Sequence, residues 1–217
     1  MSQPIGSVGS GAPKTDGVRP ELVIIAASAG GIVAISRVLS ALPEDFPLPI
    51  AILQHRGAGA PSVFPRILAR STSLPVKEAE AGERFLPGIV YVAPPTAHLV
   101  VGADRRFGLQ DGQKVNFLRS AADPLIRSAA HALRGGVIAV ILTGAGRNGT
   151  SGVRDVHALG GVVIAQDPAT ALHSGMPRAA IATGAVNHVL SLEDIAPMLV
   201  RLARVEPDGN GATREAV

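Results

Sequence analysis

The sequence predicts an α/β protein: a doubly wound, mostly parallel sheet with helices on both faces and an antiparallel hairpin at one edge. Apolar residues make up 47% of the 217 residues but aromatic residues only 3%, a composition typical of a parallel sheet buried between helices. Short apolar runs bounded by turn residues alternate with segments of helical periodicity, as strands and crossover helices do. The length suits one sizeable core.

Five apolar runs have the length and the boundaries of buried strands. They cover residues 22–27, 50–54, 89–93, 137–142 and 162–166. Within residues 89–111 the extended runs IVYVAP, HLVVG and RRFGLQ follow one another without room for a helix. We therefore expect a hairpin or meander in that segment, at one edge of the sheet.

Helix signals occupy the segments between most of these strands. Apolar residues recur at helical spacing over residues 32–42. Asp123 is predicted to cap a helix, because a proline follows it at the position that proline favours. Ser191 and Asp194 have the spacing of a capping box for a last helix over residues 192–204.

The ends of the chain differ in composition from its centre. Residues 1–20 are rich in Gly, Ser and Pro and lack the pattern of a secretion signal, and residues 205–217 are polar. Both are predicted to be flexible tails. One domain is expected between them, over residues 21–204.

The composition excludes several classes of protein. Without cysteine the chain can form neither disulfides nor a thiolate metal site, which fits a cytoplasmic protein. The histidines show no metal-ligand spacing, and we expect no metal. The longest apolar stretch is interrupted by polar residues, so no membrane span is expected. A net charge of +3 with scattered basic residues and few aromatics argues against nucleic acid, whereas it favours an acidic protein partner.

Polar side chains follow three of the predicted strands. Ser28 ends the first run within ASAGG, His55 follows the second within QHR, and Asn148 lies in the loop after the fourth. Such loops converge at the carboxyl ends of parallel strands. A histidine there can take the proton of a serine hydroxyl and make it nucleophilic. Each has a plainer alternative, because Ser28 is also a favoured helix cap and His55 an ordinary polar residue at a strand end.

Residues 144–149 fit the dinucleotide-binding pattern G-x-G-x-x-G, and Asp167 follows the next strand. A dinucleotide-binding oxidoreductase is therefore an alternative function. The pattern is often matched by chance, and this function would leave Ser28 and His55 without a role. The turns after Ser28 and within residues 144–146 can instead direct backbone N–H groups at a developing oxyanion. We expect the N–H groups of Ala29 and Ala145 to do so.

Six sequence blocks together resemble the catalytic domain of CheB-type chemotaxis-receptor methylesterases (protein-glutamate methylesterases). They keep the family's order over residues 22–199: ASAGG, QHR, VKEAEAGERFLPGIVYVAPPTAHL, RSAADPLI, ILTGAGRNGTSG and AQDPATALHSGMPRAAI. The resemblance implies a doubly wound α/β fold and hydrolysis of glutamyl methyl esters on the cytoplasmic helices of chemoreceptors. Methanol is released, some members also deamidate receptor glutamines, and no cofactor is needed. The family's receiver domain is not in this sequence, so a separate signalling protein is an expected partner.

By position, the family's nucleophile falls on Ser28 and its general base on His55. The third triad member of the family is an aspartate, and this chain has Asn148 there. The block GMPR resembles a loop near the family's site, which makes Met176 and Arg178 expected substrate contacts. The alternative for Arg178 is a solvated side chain after a helix-starting proline.

Asn148 puts the activity itself in question. An amide can orient an imidazole but cannot stabilise an imidazolium, and in serine proteases the same change costs about 10⁴ in turnover, or roughly 5 kcal/mol. A weakened or inactive binding homologue is therefore an alternative. Three rescues are open: another carboxylate such as Asp155 could act, Asn148 could suffice, or the Asn148-Gly149 pair could deamidate to an aspartate.

Overall fold

The computed structural model describes residues 19–54, 63–110 and 121–204. Its strands are β1 (Leu22–Ala27), β2 (Ile50–Gln54), β3 (Val76–Glu78), β4 (Val90–Val92), β5 (His98–Val101), β6 (Phe107–Gln110), β7 (Val137–Ile141), β8 (Val162–Gln166) and β9 (His188–Leu190). Its helices are α1 (Gly31–Ser40), α2 (Phe64–Leu68), α3 (Ala122–Leu133), α4 (Thr150–Ala158), α5 (Gly175–Ile181) and α6 (Leu192–Ala203), with a 3₁₀ turn at Arg134–Gly136. Of the predicted tails, residues 1–18 and 205–217 lie outside the described residues.

Seven parallel strands form the main sheet, in the order β3-β4-β2-β1-β7-β8-β9. The chain places β2, β3 and β4 on one side of β1 and then returns to form β7 on the other side. The strand order therefore reverses between β1 and β7, and at such a point the diverging loops leave a crevice outside the carboxyl ends of the strands. The predicted fold class is confirmed.

Successive side chains of a strand point to opposite faces of the sheet, and helices cover both faces. Val23, Ile25 and Ala27 pack in one apolar cluster with residues of α1, α2 and α6. Leu22, Ile24 and Ala26 belong to a second cluster with residues of α3, α4, α5 and the β5–β6 hairpin. All six residues of β1 are fully buried, so the loop that follows it starts from a rigid element.

The predicted hairpin exists, but its place in the fold differs from the prediction. β5 and β6 pair antiparallel in a two-stranded sheet of their own. The run at 89–93 forms β4, which lies inside the parallel sheet between β2 and β3 and is wholly buried. The prediction of one edge meander over residues 89–111 was therefore wrong for its first strand.

Asp123 does not cap its own helix, contrary to the prediction. α3 begins one residue earlier, and the N–H of Ala122 donates to Oδ1 of Asn148 at 3.1 Å. The Asp123 carboxylate accepts instead the N–H groups of Gly149 at 3.1 Å and Gly152 at 2.9 Å, at the start of α4. The two helices thus cap each other: Asn148, just before α4, caps α3, and Asp123, in the first turn of α3, caps α4.

Ser191 stands at the N-cap of the last helix, as predicted, but its bonding differs from a capping box. Its hydroxyl donates to the Asp194 carboxylate at 2.6 Å rather than bonding a backbone N–H. No helix within the described residues is long and apolar enough to cross a membrane.

Candidate active site

Ser28 lies at the reversal of strand order, directly after β1. Its N–H donates to the carbonyl of Thr143, after β7, at 3.0 Å. Its own carbonyl accepts the N–H of Gly31 at 2.8 Å. Gly30, between them, has φ +77°, a left-handed conformation that glycine adopts without strain. Ser28 is thus held on a tight turn between β1 and α1, and its side chain is partly exposed.

Gln54 is a site residue that the sequence did not single out. It ends β2 in register with Ala27, and its side-chain N–H donates to the Ser28 carbonyl at 2.7 Å. The side-chain oxygen lies so close to Gly31 that a Cβ there would overlap it. The Ser28 turn is therefore tied to β2 as well as β7. The available signal was its position immediately before His55.

His55 and its imidazole lie outside the described residues, so its role as general base stays a prediction. One condition for that role is met. β1 and β2 are parallel neighbours, and the residues preceding Ser28 and His55, Ala27 and Gln54, are register partners.

The turn at Gly144 lies directly against Ser28. A Cβ at Gly144 would be 2.9 Å from the Cβ of Ser28 and would overlap the Met176 sulfur. Met176 is fully buried, and its N–H donates to the Gly144 carbonyl at 2.8 Å. Met176 thus supports this turn from inside the protein, and its expected contact with substrate stays a prediction.

The loop before α5 is bonded to the same turn. The N–H of His173 donates to the Thr143 hydroxyl at 2.9 Å, and the N–H of Gly144 donates to the His173 carbonyl at 2.8 Å. Arg178 is exposed, and its Nε donates to the Ser174 hydroxyl at 3.1 Å. Loops after β1, β7 and β8 therefore meet around Ser28.

The turns at Ser28 and Gly144 each carry a backbone N–H group that is expected to bind an oxyanion. Among the described residues, the N–H groups of Ala29 and Ala145 donate to no acceptor, whereas the N–H of Gly144 donates to the His173 carbonyl. A cavity of about 450 Å³ opens here, lined by Ser28, Gln54 and residues 29–33. The assignment of Ala29 and Ala145 to an oxyanion site remains a prediction.

Asn148 is buried at 6% exposure, and its amide oxygen accepts the N–H of Ala122. The side chain at the predicted third triad position is thus a helix cap. Asp155, the suggested substitute carboxylate, is engaged elsewhere: its Oδ2 lies 2.9 Å from Arg127 Nε and 3.6 Å from His131 Nε2. No group of metal-ligating side chains occurs in the described parts of the chain.

A doubly wound α/β sheet with a serine on a tight turn at its reversal point defines a class of hydrolase, and the comparisons with known proteins identify the family. The model of the CheB methylesterase family matches residues 23–199. A Leptospira interrogans protein named as a candidate protein-glutamate methylesterase/protein-glutamine glutaminase is 42% identical over 182 residues, which cover 84% of this chain and 94% of that protein.

Two further matches agree. A protein-glutamate methylesterase/protein-glutamine glutaminase of Maricaulis maris is 39% identical over 203 residues, 90% of this chain and 49% of that protein. The crystal structure of the Thermotoga maritima CheB methylesterase catalytic domain matches with a TM-score of 0.82 at 38% identity, over 85% of this chain and 100% of that domain. The chain belongs to the CheB methylesterase family.

The family assignment does not support the oxidoreductase alternative, and the local geometry agrees. At the end of the glycine-rich loop, the N–H of Gly149 donates to the Asp123 carboxylate, which caps α4. Asp167, the residue that would bind a ribose, accepts the N–H of Ala169 at 2.8 Å within its own turn.

Proposed function

We propose that the protein is a protein-glutamate methylesterase that hydrolyses glutamyl methyl esters on the cytoplasmic helices of chemoreceptors, in chemotaxis-type signalling in the cytoplasm. Deamidation of receptor glutamines by the same site is a second reaction of this proposal. The observation that carries it is the turn that presents Ser28 beside backbone N–H groups at the reversal of strand order, in a chain of the CheB methylesterase family.

In the proposed mechanism, the Ser28 hydroxyl attacks the ester carbonyl while His55 takes its proton. The N–H groups of Ala29 and Ala145 stabilise the oxyanion. The tetrahedral intermediate then collapses, methanol leaves with the proton from His55, and a glutamyl-Ser28 ester remains. A water molecule, deprotonated by His55, releases the glutamate and restores Ser28.

Asn148 supports a second candidate function, a docking protein with little or no turnover. Its amide orients a histidine without stabilising the positive charge that forms during attack. Such a protein would still bind the receptor or a separate signalling protein.

Two measurements test these functions. Methanol release from a methylated receptor fragment is compared between the wild type and Ser28→Ala; equal rates would end the esterase proposal. Labelling by a fluorophosphonate reports whether Ser28 is activated, without need of the substrate. A wild type that is neither labelled nor active but binds the fragment is the docking protein.

A further inference from the structure

We propose that Ile32, Val33 and Leu172 form an apolar rim that docks the substrate helix beside Ser28, with Arg147 and Arg178 pairing with its carboxylates. This inference rests on the proposed function and assigns the residues that recognise the protein part of the substrate. We call the three apolar residues the docking rim.

The docking rim is unusual in its exposure. Leu172 is 76% exposed and Val33 68%, the two highest values among the large apolar side chains of the described residues, and Ile32 is 40% exposed. Single exposed apolar residues are ordinary, whereas a group of them beside a site indicates an interaction surface.

The members of the rim lie around the Ser28 turn and the cavity beside it. Ile32 and Val33, on the first turn of α1, line the same cavity as Ser28. Leu172 comes from the loop after β8 and lies over the Ser28 turn, since a Cβ at Gly30 would be 3.0 Å from Leu172 Cδ2. The start of α1 and a loop distant in sequence thus place apolar side chains around the Ser28 turn.

The size of the cavity explains why a rim is needed. A volume of about 450 Å³ is at the small end for ligand pockets and suits one side chain with its ester. The helix that carries this side chain must then lie outside, across the rim. Residues three and four positions along a helix share its face, so apolar neighbours of the ester contact Leu172 and Val33.

Charge identifies the partner further. Each hydrolysis of a glutamyl ester leaves a glutamate carboxylate on the substrate helix. Arg147, in the loop after β7, and Arg178, in α5, are exposed and have no acidic partner among the described residues. The surface therefore fits an amphipathic helix with acidic residues.

The test compares Leu172→Ser and Val33→Ser with Leu86→Ser. Leu86 is a matched control, 50% exposed but placed before β4, at the opposite end of the strands. Two esters are used: a methylated receptor fragment and a small N-acetylglutamyl γ-methyl ester amide. We expect the rim variants to raise KM for the fragment about tenfold or more. This increase in KM should be at least tenfold larger than the increase for the small ester. Leu86→Ser should change neither.

Binding is measured separately, so that the rim is tested even without turnover. Fluorescence anisotropy follows the labelled fragment on the Ser28→Ala protein, with and without each rim substitution. Weaker binding by the rim variants supports the proposal, and Arg147→Glu with Arg178→Glu should reduce affinity most at low salt. Rim variants that bind the fragment within twofold of the Ser28→Ala protein would overturn it. A wild type that binds the fragment through the rim but releases no methanol would contradict the esterase function alone.

Discussion

Replacing Asp123 by alanine should destabilise the protein far more than loss of an ordinary surface acid. The Asp123 side chain is only 8% exposed, and its two oxygens accept the N–H groups of Gly149 and Gly152. The N-cap of α4 is a glycine, which has no side chain to do this. Alanine would leave both N–H groups without their acceptor.

The magnitude follows from the two bonds. A hydrogen bond to a charged group contributes about 1.5–3 kcal/mol, and a carboxylate at a helix N-terminus a further 0.3–1 kcal/mol, roughly. Since these contributions overlap, we expect a loss of about 3 kcal/mol. For a domain of this size that corresponds to a fall in Tm of about 6–12 °C. Asp123→Asn should cost less, because an amide oxygen still accepts one N–H.

Urea denaturation followed by far-UV circular dichroism measures this loss. Asp194→Ala is the matched control: Asp194 is exposed, in the first turn of α6, and accepts a hydrogen bond from Ser191. Its loss should be below about 1 kcal/mol. If Asp123→Ala costs no more than Asp194→Ala, the reciprocal capping of α3 and α4 does not stabilise the fold as argued.

Three further predictions concern the site and the edge of the sheet. Asn148→Asp should raise the rate of methanol release about 10²-fold or more, because a carboxylate stabilises the imidazolium; an unchanged rate means that another group already does so. Gly144→Ala should lower fluorophosphonate labelling of Ser28 at least tenfold, roughly, since the new Cβ would displace the Ser28 side chain; labelling at the wild-type rate would contradict this. Burial and the positive charge of Arg201 lower the pKa of His188 in the folded protein. The unfolded chain therefore protonates His188 more readily, and the stability of the fold decreases as the pH drops below about 6.5. His188→Gln should lose less stability between pH 7.5 and pH 5, and an equal loss in both proteins would refute this assignment.

The central strands were predictable because burial on both faces leaves a plain record in the sequence. β1, β2 and β8 have the predicted bounds, since each is an apolar run closed by a polar or turn residue. β3 and β9 were missed. They are three-residue edge strands that carry polar side chains such as Lys77 and His188, so neither run length nor alternation distinguishes them from a loop.

Residues of the candidate site were predictable only where they directly follow a strand that the sequence pattern reveals. Ser28 and Asn148 each follow a strand whose pattern is visible, and so their loops could be located. Gln54 and Asp123 act through hydrogen bonds to residues 26 positions away. Such bonds leave no local pattern, and Asp123 looked like the cap of the nearer helix because a proline follows it.

Asn148 and Asp123 occupy one buried arrangement, so their substitutions should not be independent. The side chain of Asn148 accepts the N–H of Ala122, and the side chain of Asp123 accepts the N–H of Gly149. Because Ala122 and Asp123 are adjacent in sequence, as are Asn148 and Gly149, the two side chains lie in the same small region. A carboxylate at position 148 would therefore stand close to that of Asp123, and like charges repel strongly where water is excluded. Asn148→Asp should thus lower stability even as it raises activity.

A double-mutant cycle isolates this repulsion. The cost of Asn148→Asp is measured by urea denaturation in the wild type and in Asp123→Asn, where the second charge is gone. We expect it to be smaller in Asp123→Asn by more than about 0.5 kcal/mol. The neutral amide at the third triad position would then be the form that the capping arrangement tolerates best, whatever its consequence for turnover. Costs that add to within about 0.3 kcal/mol would show that the two side chains do not interact, and this reason for an amide at position 148 would fail.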